Sequence, residues 1–322
     1  SGKTRVITSR VVDLIKNRKV EPRNILCLTF TNKASNEMKE RVSQELAQDN
    51  IKADAIWIST FHKLCLAILR KYGNLIGFPP NFSIYSSNEQ EDLMGKLARM
   101  KGYENTSKYA VMHLVKAVND FREDIIDFEQ HLKELTPIEV DIVKEYQETL
   151  DELNAIDFSG MLYKSWLLLK NNPIVVESLS KRFKFVLVDE MQDTNHVQYD
   201  IVKLIAGHGN VFVVGDAQQS IYSWRGAKPE NIHKLHKDFD GVNEVTLPRN
   251  YRSTSNILQA AQNLIHNNED ATDVELISDK GSGENVEIVQ HMYRENEADW
   301  LASQIKTLRQ SHKYNWKDFA VL

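Results

Sequence analysis

The sequence predicts an α/β fold built on a parallel sheet, and two observations support this prediction. Four short apolar runs end abruptly in polar residues; they occupy residues 25–28, 56–58, 185–188 and 211–214. Continuous apolar runs of this length are typical of strands that are buried on both faces of a parallel sheet. Between the first two runs, apolar residues spaced four apart predict a helix with Asn32 as its cap; they are Ala34, Met38, Val42 and Leu46. A strand, a helix and a strand in this rhythm indicate a doubly wound domain, in which ligands bind beyond the carboxyl ends of the strands.

A helical region follows the second strand. From about residue 78 to about residue 155 the strand-like runs disappear, and apolar residues recur with helical spacing. They form two stripes, one of Val111, Leu114, Val115 and Val118 and one of Ile142, Val143, Tyr146, Leu150 and Leu153. Residues 77–81, Gly-Phe-Pro-Pro-Asn, favour a loop at the entry. We interpret this region as a helical domain inserted into the α/β domain.

After Arg252 the sequence again predicts alternating helices and strands. The pattern predicts a helix over about residues 254–266, a strand at 286–289, a further helix and a strand at 319–322. The second of these helices carries Ala298, Leu301, Ile305 and Leu308 on one face. So few strands indicate an incomplete sheet.

The composition is that of a globular chain and leaves the binding partner open. Of 322 residues, 42% are apolar and 26% are charged, and no apolar run approaches the roughly 20 residues that span a bilayer. Cys27 and Cys65 lie in apolar stretches without metal-ligand spacing, and the first residues lack the layout of a signal peptide, so a cytoplasmic location is expected. The formal net charge of −5 is unusual for a simple DNA-binding domain. It does not exclude a local groove in which bases stack on aromatic rings.

Residues 1–4, Ser-Gly-Lys-Thr, have the form of the end of a phosphate-binding loop, G-x-x-x-x-G-K-[ST]. In such a loop Lys3 would reach the β- and γ-phosphates and Thr4 the Mg²⁺. Because short matches are common, this motif alone is weak.

The third apolar run strengthens the prediction because it ends in Asp189-Glu190. A strand that closes with this pair has the form of a Walker B site, in which the aspartate holds Mg²⁺ and the glutamate polarises the attacking water. Acidic residues also close strands for structural reasons. A Gly-Lys-Thr that opens a helix together with an Asp-Glu that closes a strand nevertheless forms a joint signal for ATP and Mg²⁺.

Longer motifs extend this signal over nearly the whole chain. They are LTFTNKA at residues 28–34, STFH at 59–62, VDEMQDT at 188–194, VGDAQQSIYSWRGA at 214–227 and LPRNYRS at 247–253, and Asp157-Phe158 also fits. In order and spacing they resemble the motifs of superfamily-one helicases of the UvrD/Rep/PcrA type. Two departures, Met191 and Ala217-Gln218, fall on positions without a catalytic role, so changed packing is expected there.

The resemblance implies a set of nucleotide-binding residues: Ser1, Gly2, Lys3, Thr4, Asp189, Gln219 and Arg252. Thr4 and Asp189 would hold Mg²⁺, and Glu190 would be the catalytic base. Gln219 would sense the γ-phosphate and report its loss to the DNA site. Arg252 would stabilise charge on the γ-phosphate as an arginine finger.

The resemblance also implies a set of DNA-binding residues. Those that would line the single DNA strand are Phe30, Thr31, Asn32, Thr60 and His62, and Tyr222 and Trp224 would stack on bases. The alternative for Tyr222 and Trp224 is a place in the core, but the polar Ser220, Ser223 and Arg225 around them favour a loop. For His62, a capping or core role remains open.

The resemblance further implies a P-loop NTPase (RecA-like) domain at residues 1–77 and 156–247, an inserted helical domain at 78–155, and the incomplete beginning of a second RecA-like domain at 248–322. Relative to the family pattern the chain is truncated at both ends, so the 322-residue fragment alone is expected to be weakly active or inactive.

These implications describe a motor that hydrolyses ATP and moves 3′ to 5′ on single-stranded DNA and duplex junctions, as a monomer or weak dimer, in DNA repair or replication. Two alternatives stay open. One is a catalytically silent DNA-binding module, against which the intact Lys3, Asp189, Glu190, Gln219 and Arg252 argue. The other is the motor subunit of a helicase–nuclease. The protein partners are left open.

Overall fold

The computed structural model describes residues 2–103, 106–124, 133–223, 226–268, 274–311 and 313–322. The chain forms two compact units, Ser1–Leu247 and Pro248–Leu322. Within the described ranges, no helix combines the length and the apolarity that crossing a bilayer requires.

The first unit contains the predicted parallel sheet. The strands of this unit are β1 (Ile25–Thr29), β2 (Trp57–Thr60), β3 (Ser83–Ile84), β4 (Ala155–Ile156), β5 (Phe185–Val188) and β6 (Val211–Val213). Four of them pair in the order β2-β1-β5-β6, all parallel, with Cys27 opposite both Ile58 and Leu187. The four apolar runs are thereby confirmed as strands of one sheet.

Helices cover both faces of this sheet. The helices of the first unit are α1 (Lys3–Lys16), α2 (Asn32–Ala47), α3 (Phe61–Tyr72), α4 (Ser87–Met100), α5 (Lys108–Glu123), α6 (Pro137–Glu152), α7 (Phe158–Asn171), α8 (Pro173–Arg182), α9 (His196–Ile205) and α10 (Asn231–Asp238). Successive side chains of a strand point to opposite faces. On β1, Leu26 and Leu28 therefore join a core with α3, α7 and α9, whereas Ile25 and Cys27 join a core with α1 and α2. Burial on both faces explains the continuous apolar run.

A third core lies among α4, α5 and α6, where Met94, Leu114, Ile142 and Tyr146 are fully buried. This is the region for which the sequence predicts helices alone. The structure adds one short parallel pair, in which Ser83 of β3 lies opposite Ala155 of β4. Two-residue strands are too short to produce a periodic signal in the sequence.

The second unit contains α11 (Ser255–Ile265), α12 (Arg294–Gln310) and the short strands β7 (Arg249–Asn250) and β8 (Ile277–Ser278). The strands predicted at residues 286–289 and 319–322 are wrong, because the backbone there is irregular. A strand needs a neighbouring ladder to satisfy its backbone groups, and the side chains of Ile288 and Val321 are 96% and 65% exposed.

Candidate functional site

The carboxyl edge of the four-stranded sheet brings together most of the predicted site residues of the first unit. In a parallel sheet all strands end at the same edge. At the β5–β6 half of this edge lie Asp189, Glu190 and Asp216, which follow the two strands. At the β1–β2 half lie residues 30–32 and 60–62. The predicted nucleotide and DNA residues thus occupy adjacent halves of one edge.

The Gly-Lys-Thr motif forms the amino terminus of α1. Gly2 adopts φ 102°, a left-handed conformation that glycine accepts without strain, and its carbonyl accepts from the Val6 amide at 3.0 Å. Lys3 and Thr4 lie in the first turn, where backbone N–H groups lack helical partners and favour anions. Ser1, also predicted to bind nucleotide, lies outside the described residues.

A closed ring of hydrogen bonds joins five side chains at this edge. Lys3 Nζ donates to Glu190 Oε2 at 2.6 Å and to Gln219 Oε1 at 3.3 Å. Gln219 Nε2 donates to Asp216 Oδ2 at 2.6 Å. Gln192 Nε2 donates to Glu190 Oε2 at 2.8 Å, and Gln192 Oε1 accepts from the Asp216 amide at 2.9 Å. Three predicted residues, Lys3, Glu190 and Gln219, are therefore in direct contact.

Gln192 and Asp216 are members of this ring that sequence reasoning missed. Gln192 lies in the 3-10 turn Met191–Asp193, and Asp216 caps the turn Ala217–Gln219 by accepting from the Gln218 amide at 3.1 Å. Their only sequence signal is their place in the two motifs that follow β5 and β6. The ring closes through a backbone N–H, which no side-chain pattern reveals.

Gln192→Ala is expected to lower the kcat of ATP hydrolysis with little change in DNA affinity. It removes a hydrogen bond to the Glu190 carboxylate, and such bonds to charged groups contribute about 1.5–3 kcal/mol. Steady-state ATPase assays on the full-length protein would measure this. The neighbouring Gln218→Ala is the matched control, because Gln218 Nε2 has no hydrogen-bond partner among the described residues. Equal kcat values for the two variants would contradict a positioning role for Gln192.

Glu190 has a strained backbone. Its φ of 49° and ψ of 54° place a non-glycine residue in the left-handed region, which persists only where the surroundings fix it and is common at functional sites. The contacts with Lys3 and Gln192 are the fixing interactions on its side chain.

Asp189 is buried at the end of β5 and is 4% exposed. Its backbone N–H donates to the Leu28 carbonyl at 2.9 Å, and its Oδ1 accepts from the Glu190 amide at 3.1 Å. Burial, and then the charge of Glu190, raise the pKa of Asp189 to about 6, while Lys3 opposes this shift. A buried carboxylate with a raised pKa gains most from a nearby cation.

The donor set at this edge is compatible with a magnesium ion. Among the described residues there is no group of three or more His, Cys, Asp or Glu side chains that could hold a metal. Mg²⁺ usually keeps several waters and takes one or two carboxylates plus phosphate oxygens. Asp189, buried and with its raised pKa, is suited to be such a carboxylate, and Thr4 lies one residue after Lys3.

On the β1 side of the edge, Phe30 and Tyr222 stack with ring centroids 5.2 Å apart and an interplanar angle of 23°. Thr31 and Asn32 follow Phe30 and are exposed. The cap of α2 is Thr31, whose Oγ1 accepts from the Ala34 amide at 3.1 Å, so the prediction of Asn32 as the cap is wrong. Asn32 already has helical backbone as the first residue of α2, which leaves the cap position to Thr31.

Thr60 and His62 serve local structure at the start of α3. Thr60 is 8% exposed and caps the helix by accepting from the Lys63 amide at 3.4 Å. The His62 ring lies edge-on against Phe158 at 5.5 Å, and burial lowers its pKa. Their contact with DNA stays a prediction. Trp224, the second predicted stacking residue, lies outside the described residues.

One segment connects the two halves of the edge. Gln219 belongs to the hydrogen-bonded ring, and Tyr222, three residues later, stacks on Phe30. The Tyr222 carbonyl accepts from the Ala227 amide at 3.2 Å, and this hydrogen bond closes the loop that follows the tyrosine in the chain. Gln219 and Tyr222 therefore place one short segment in contact with both halves of the edge.

Arg252 belongs to the second unit and is exposed. The Asn250 side chain fixes its backbone, because Asn250 Oδ1 accepts from the amides of Arg252 at 2.8 Å and Ser253 at 2.9 Å. Its predicted action on the nucleotide stays a prediction.

A parallel sheet with helices on both faces, a lysine at a helix amino terminus and an Asp-Glu pair at the end of a central strand is typical of P-loop nucleotide-binding proteins. Residues 1–240 match the UvrD/REP helicase N-terminal domain, and residues 245–322 match the UvrD-like helicase C-terminal domain. The chain belongs to the UvrD/REP helicase family.

Curated relatives match the whole chain. It is 36% identical to the ATP-dependent DNA helicase PcrA of Leuconostoc citreum and 37% identical to that of Staphylococcus aureus. It is 36% identical to the ATP-dependent DNA helicase UvrD1 of Mycobacterium bovis. The chain spans 43%, 44% and 43% of the lengths of these three relatives.

Proposed function

We propose that the full-length protein is an ATP-dependent DNA helicase that moves 3′ to 5′ along single-stranded DNA and separates strands at duplex junctions. The segment from Gln219 to Tyr222 is the observation that carries this proposal. It joins a ring suited to phosphate chemistry with an aromatic pair suited to bases. The names of the relatives, all ATP-dependent DNA helicases, support it.

Each residue of the nucleotide half has its own role in ATP hydrolysis. Lys3 has three N–H donors, of which the ring uses two, and phosphate oxygens would compete for them. Glu190 accepts a proton from the attacking water, and Gln192 keeps its carboxylate oriented. Thr4 and Asp189 would hold Mg²⁺, which would neutralise charge on the phosphates.

Coupling to DNA follows from the hydrogen bonds of Gln219. Its Oε1 accepts from Lys3 and its Nε2 donates to Asp216, so an exchange of either bond on phosphate binding or release moves the start of the Tyr222 segment. Arg252 would act on the γ-phosphate as an arginine finger.

For the DNA half, the proposed contacts are Phe30, Thr31, Asn32, Thr60, His62, Tyr222 and Trp224. Phe30 and Tyr222 form a stacked pair onto which a base can be added, and the exposed Thr31 and Asn32 offer hydroxyl and amide groups to the backbone of the strand.

In domain terms, we propose a RecA-like domain at residues 1–77 and 156–247, an inserted helical domain at 78–155, and the beginning of a second RecA-like domain at 248–322. The separate core among α4, α5 and α6 supports the inserted helical domain. We also propose a role in DNA repair or replication, with the protein acting as a monomer or weak dimer.

The deciding experiment is DNA-stimulated ATPase activity of the full-length protein. A rate that rises with single-stranded DNA, together with strand separation on a 3′-tailed duplex, would support the helicase. A protein that binds DNA without hydrolysing ATP would instead be a silent DNA-binding module.

Tyr222→Ala is expected to weaken single-strand binding by about 1–3 kcal/mol, the usual contribution of one base–aromatic stack. The loss should be similar for every base sequence, because each base presents a π-face. Fluorescence titration of the full-length protein measures it, and Tyr109→Ala, which removes an 86% exposed tyrosine from α5, is the matched control. A variant that melts earlier but binds DNA with wild-type affinity would show that Tyr222 serves only the core.

A further inference from the structure

The last turn of α5 contacts two segments that the proposed function uses. The Glu123 side chain lies beside the Asn195 side chain, and both border the space over Gly226. It also lies against Gly226, where a Cβ atom would come within 2.5 Å of Glu123 Oε2. Gly226 has a φ of 80°, a left-handed backbone conformation that favours glycine.

Asp124, the next residue, is paired by charge with the segment that follows Gly226. Its Oδ2 lies 3.1 Å from Lys228 Nζ. The Lys228 amide donates to the Thr194 carbonyl at 2.9 Å. Asn231 Nδ2 donates to the carbonyls of Thr194 at 3.0 Å and Asn195 at 3.2 Å, which fastens the two segments to each other.

The segments around Asn195 and Gly226 are each close in sequence to a predicted site residue. Asn195 caps α9, accepting from the Gln198 amide at 2.9 Å, and lies five residues after Glu190 in the chain. Gly226 lies four residues after Tyr222, in the loop that the Tyr222 carbonyl and the Ala227 amide close. The end of α5 therefore touches the segment behind the proposed base and the loop that carries the stacking tyrosine.

The rest of α5 is firmly anchored, so its last turn can resist displacement. Arg122 Nη1 donates to both carboxylate oxygens of Asp157 at 2.7 and 2.8 Å, and these side chains are 5% and 1% exposed. One turn earlier, Asn119 Oδ1 accepts from Ser159 Oγ at 2.6 Å. Asp157 and Ser159 lie at the start of α7, which packs on the sheet.

We propose that Glu123 and Asp124 are positioning residues that fix residues 226–228 relative to residues 190–195, so that DNA bound at Tyr222 changes the rate of hydrolysis at Glu190. The proposal rests on the proposed helicase function. It assigns to α5, a helix of the inserted region, the coupling of the two halves of the site. No contact of Glu123 or Asp124 with nucleotide or DNA is required.

The test uses Glu123→Gln and Asp124→Asn in the full-length protein, with Glu145→Gln as the matched control. Glu145 lies on α6 of the same helical core and pairs at 3.0 Å with the exposed Lys101. Stimulation of ATP hydrolysis by DNA should fall roughly 2- to 30-fold in the two variants, the range of coupling energies carried by such residues. The DNA-free rate, the melting temperature and the KM for ATP should stay at the wild-type values.

The pH dependence adds a readout that a purely structural role would not change. Burial, opposed by the nearby Asn195 side chain and reinforced by the charges of Asp120, Asp124 and Asp157, raises the pKa of Glu123 to about 7. Three further charged groups lie next to its neighbours: Arg122 pairs with Asp157, and Lys228 and His196 interact with Asp124. The Asn195 amide favours the carboxylate form, so stimulation of the wild type should rise with pH through about 7, whereas Glu123→Gln should stay low throughout.

A charge exchange completes the test. Asp124→Lys combined with Lys228→Asp should restore the stimulation that Asp124→Lys alone removes. Folded variants with wild-type stimulation and an unchanged pH profile would overturn the proposal, as would equal losses in the DNA-free and DNA-stimulated rates. Failure of the helicase function itself is distinguishable, because the wild-type ATPase would then not respond to DNA.

Discussion

Glu190→Gln in the full-length protein is expected to abolish ATP hydrolysis while preserving the binding of Mg²⁺-ATP. The glutamine amide keeps the shape of the side chain and an oxygen that accepts from Lys3 and Gln192. It cannot take a proton from the attacking water, and general base catalysis contributes about 10²- to 10⁴-fold. The loss should appear in kcat, with little change in the affinity for nucleotide.

Single-turnover hydrolysis and fluorescent-nucleotide titration separate the two quantities. Glu45→Gln is the matched control, because Glu45 is an exposed glutamate on α2, away from the carboxyl edge of the sheet. If the turnover of Glu190→Gln were within a few-fold of that of the control, Glu190 would not be the catalytic base. Loss of nucleotide binding instead would indicate that the contact between Lys3 and Glu190 organises the phosphate site.

The sheet of the first unit could be predicted because its strands are buried on both faces. Leu26 and Cys27 belong to different cores, so both must be apolar, and the run stands out in the sequence. In the second unit the same kind of signal failed at residues 286–289. Apolar content records a tendency to be buried, whereas a strand also needs a partner for its backbone, and Ile288 is 96% exposed.

The candidate site divides in the same way. Lys3, Glu190 and Gln219 were predicted, because each belongs to a motif whose chemistry needs that residue type, and the structure brings them into contact. Gln192 and Asp216 were missed because their role depends on one backbone amide and on turn geometry. Glu123 was missed because helical spacing places it on α5 without indicating what α5 contacts.

Arg122→Met should cost about 3–5 kcal/mol of stability, the usual effect of removing one partner of a buried ion pair. Arg122 and Asp157 are 5% and 1% exposed, so the remaining carboxylate would be left charged and unpaired in the interior. Asp157 also accepts from Tyr146 Oη at 2.6 Å and from the Gly160 amide at 2.7 Å. These two hydrogen bonds reduce the loss of stability but do not supply a positive charge.

The pKa of Asp157 gives this prediction a pH dependence. Burial acts to raise that pKa, but the Arg122 charge and the hydrogen bonds outweigh it, and the pKa lies below its ordinary value. A lowered carboxylate pKa contributes stability that is present above the unfolded-state pKa and is lost as pH falls through the folded-state value. Arg122→Met removes the main stabilising charge, so the gap between wild type and variant should be widest near neutral pH and should narrow in acid.

Urea denaturation at several pH values measures that gap. Arg41→Met is the matched control, because Arg41 forms only an exposed pair with Glu37 at 3.8 Å, and exposed pairs contribute about 0–1 kcal/mol. If Arg122→Met cost no more than Arg41→Met, the buried pair would not anchor α5. The last turn of the helix, with Glu123 and Asp124, would then lack the fixed base that its proposed coupling role requires. A large cost near neutral pH that shrinks in acid would instead locate the anchor of α5 at the Arg122–Asp157 charge pair.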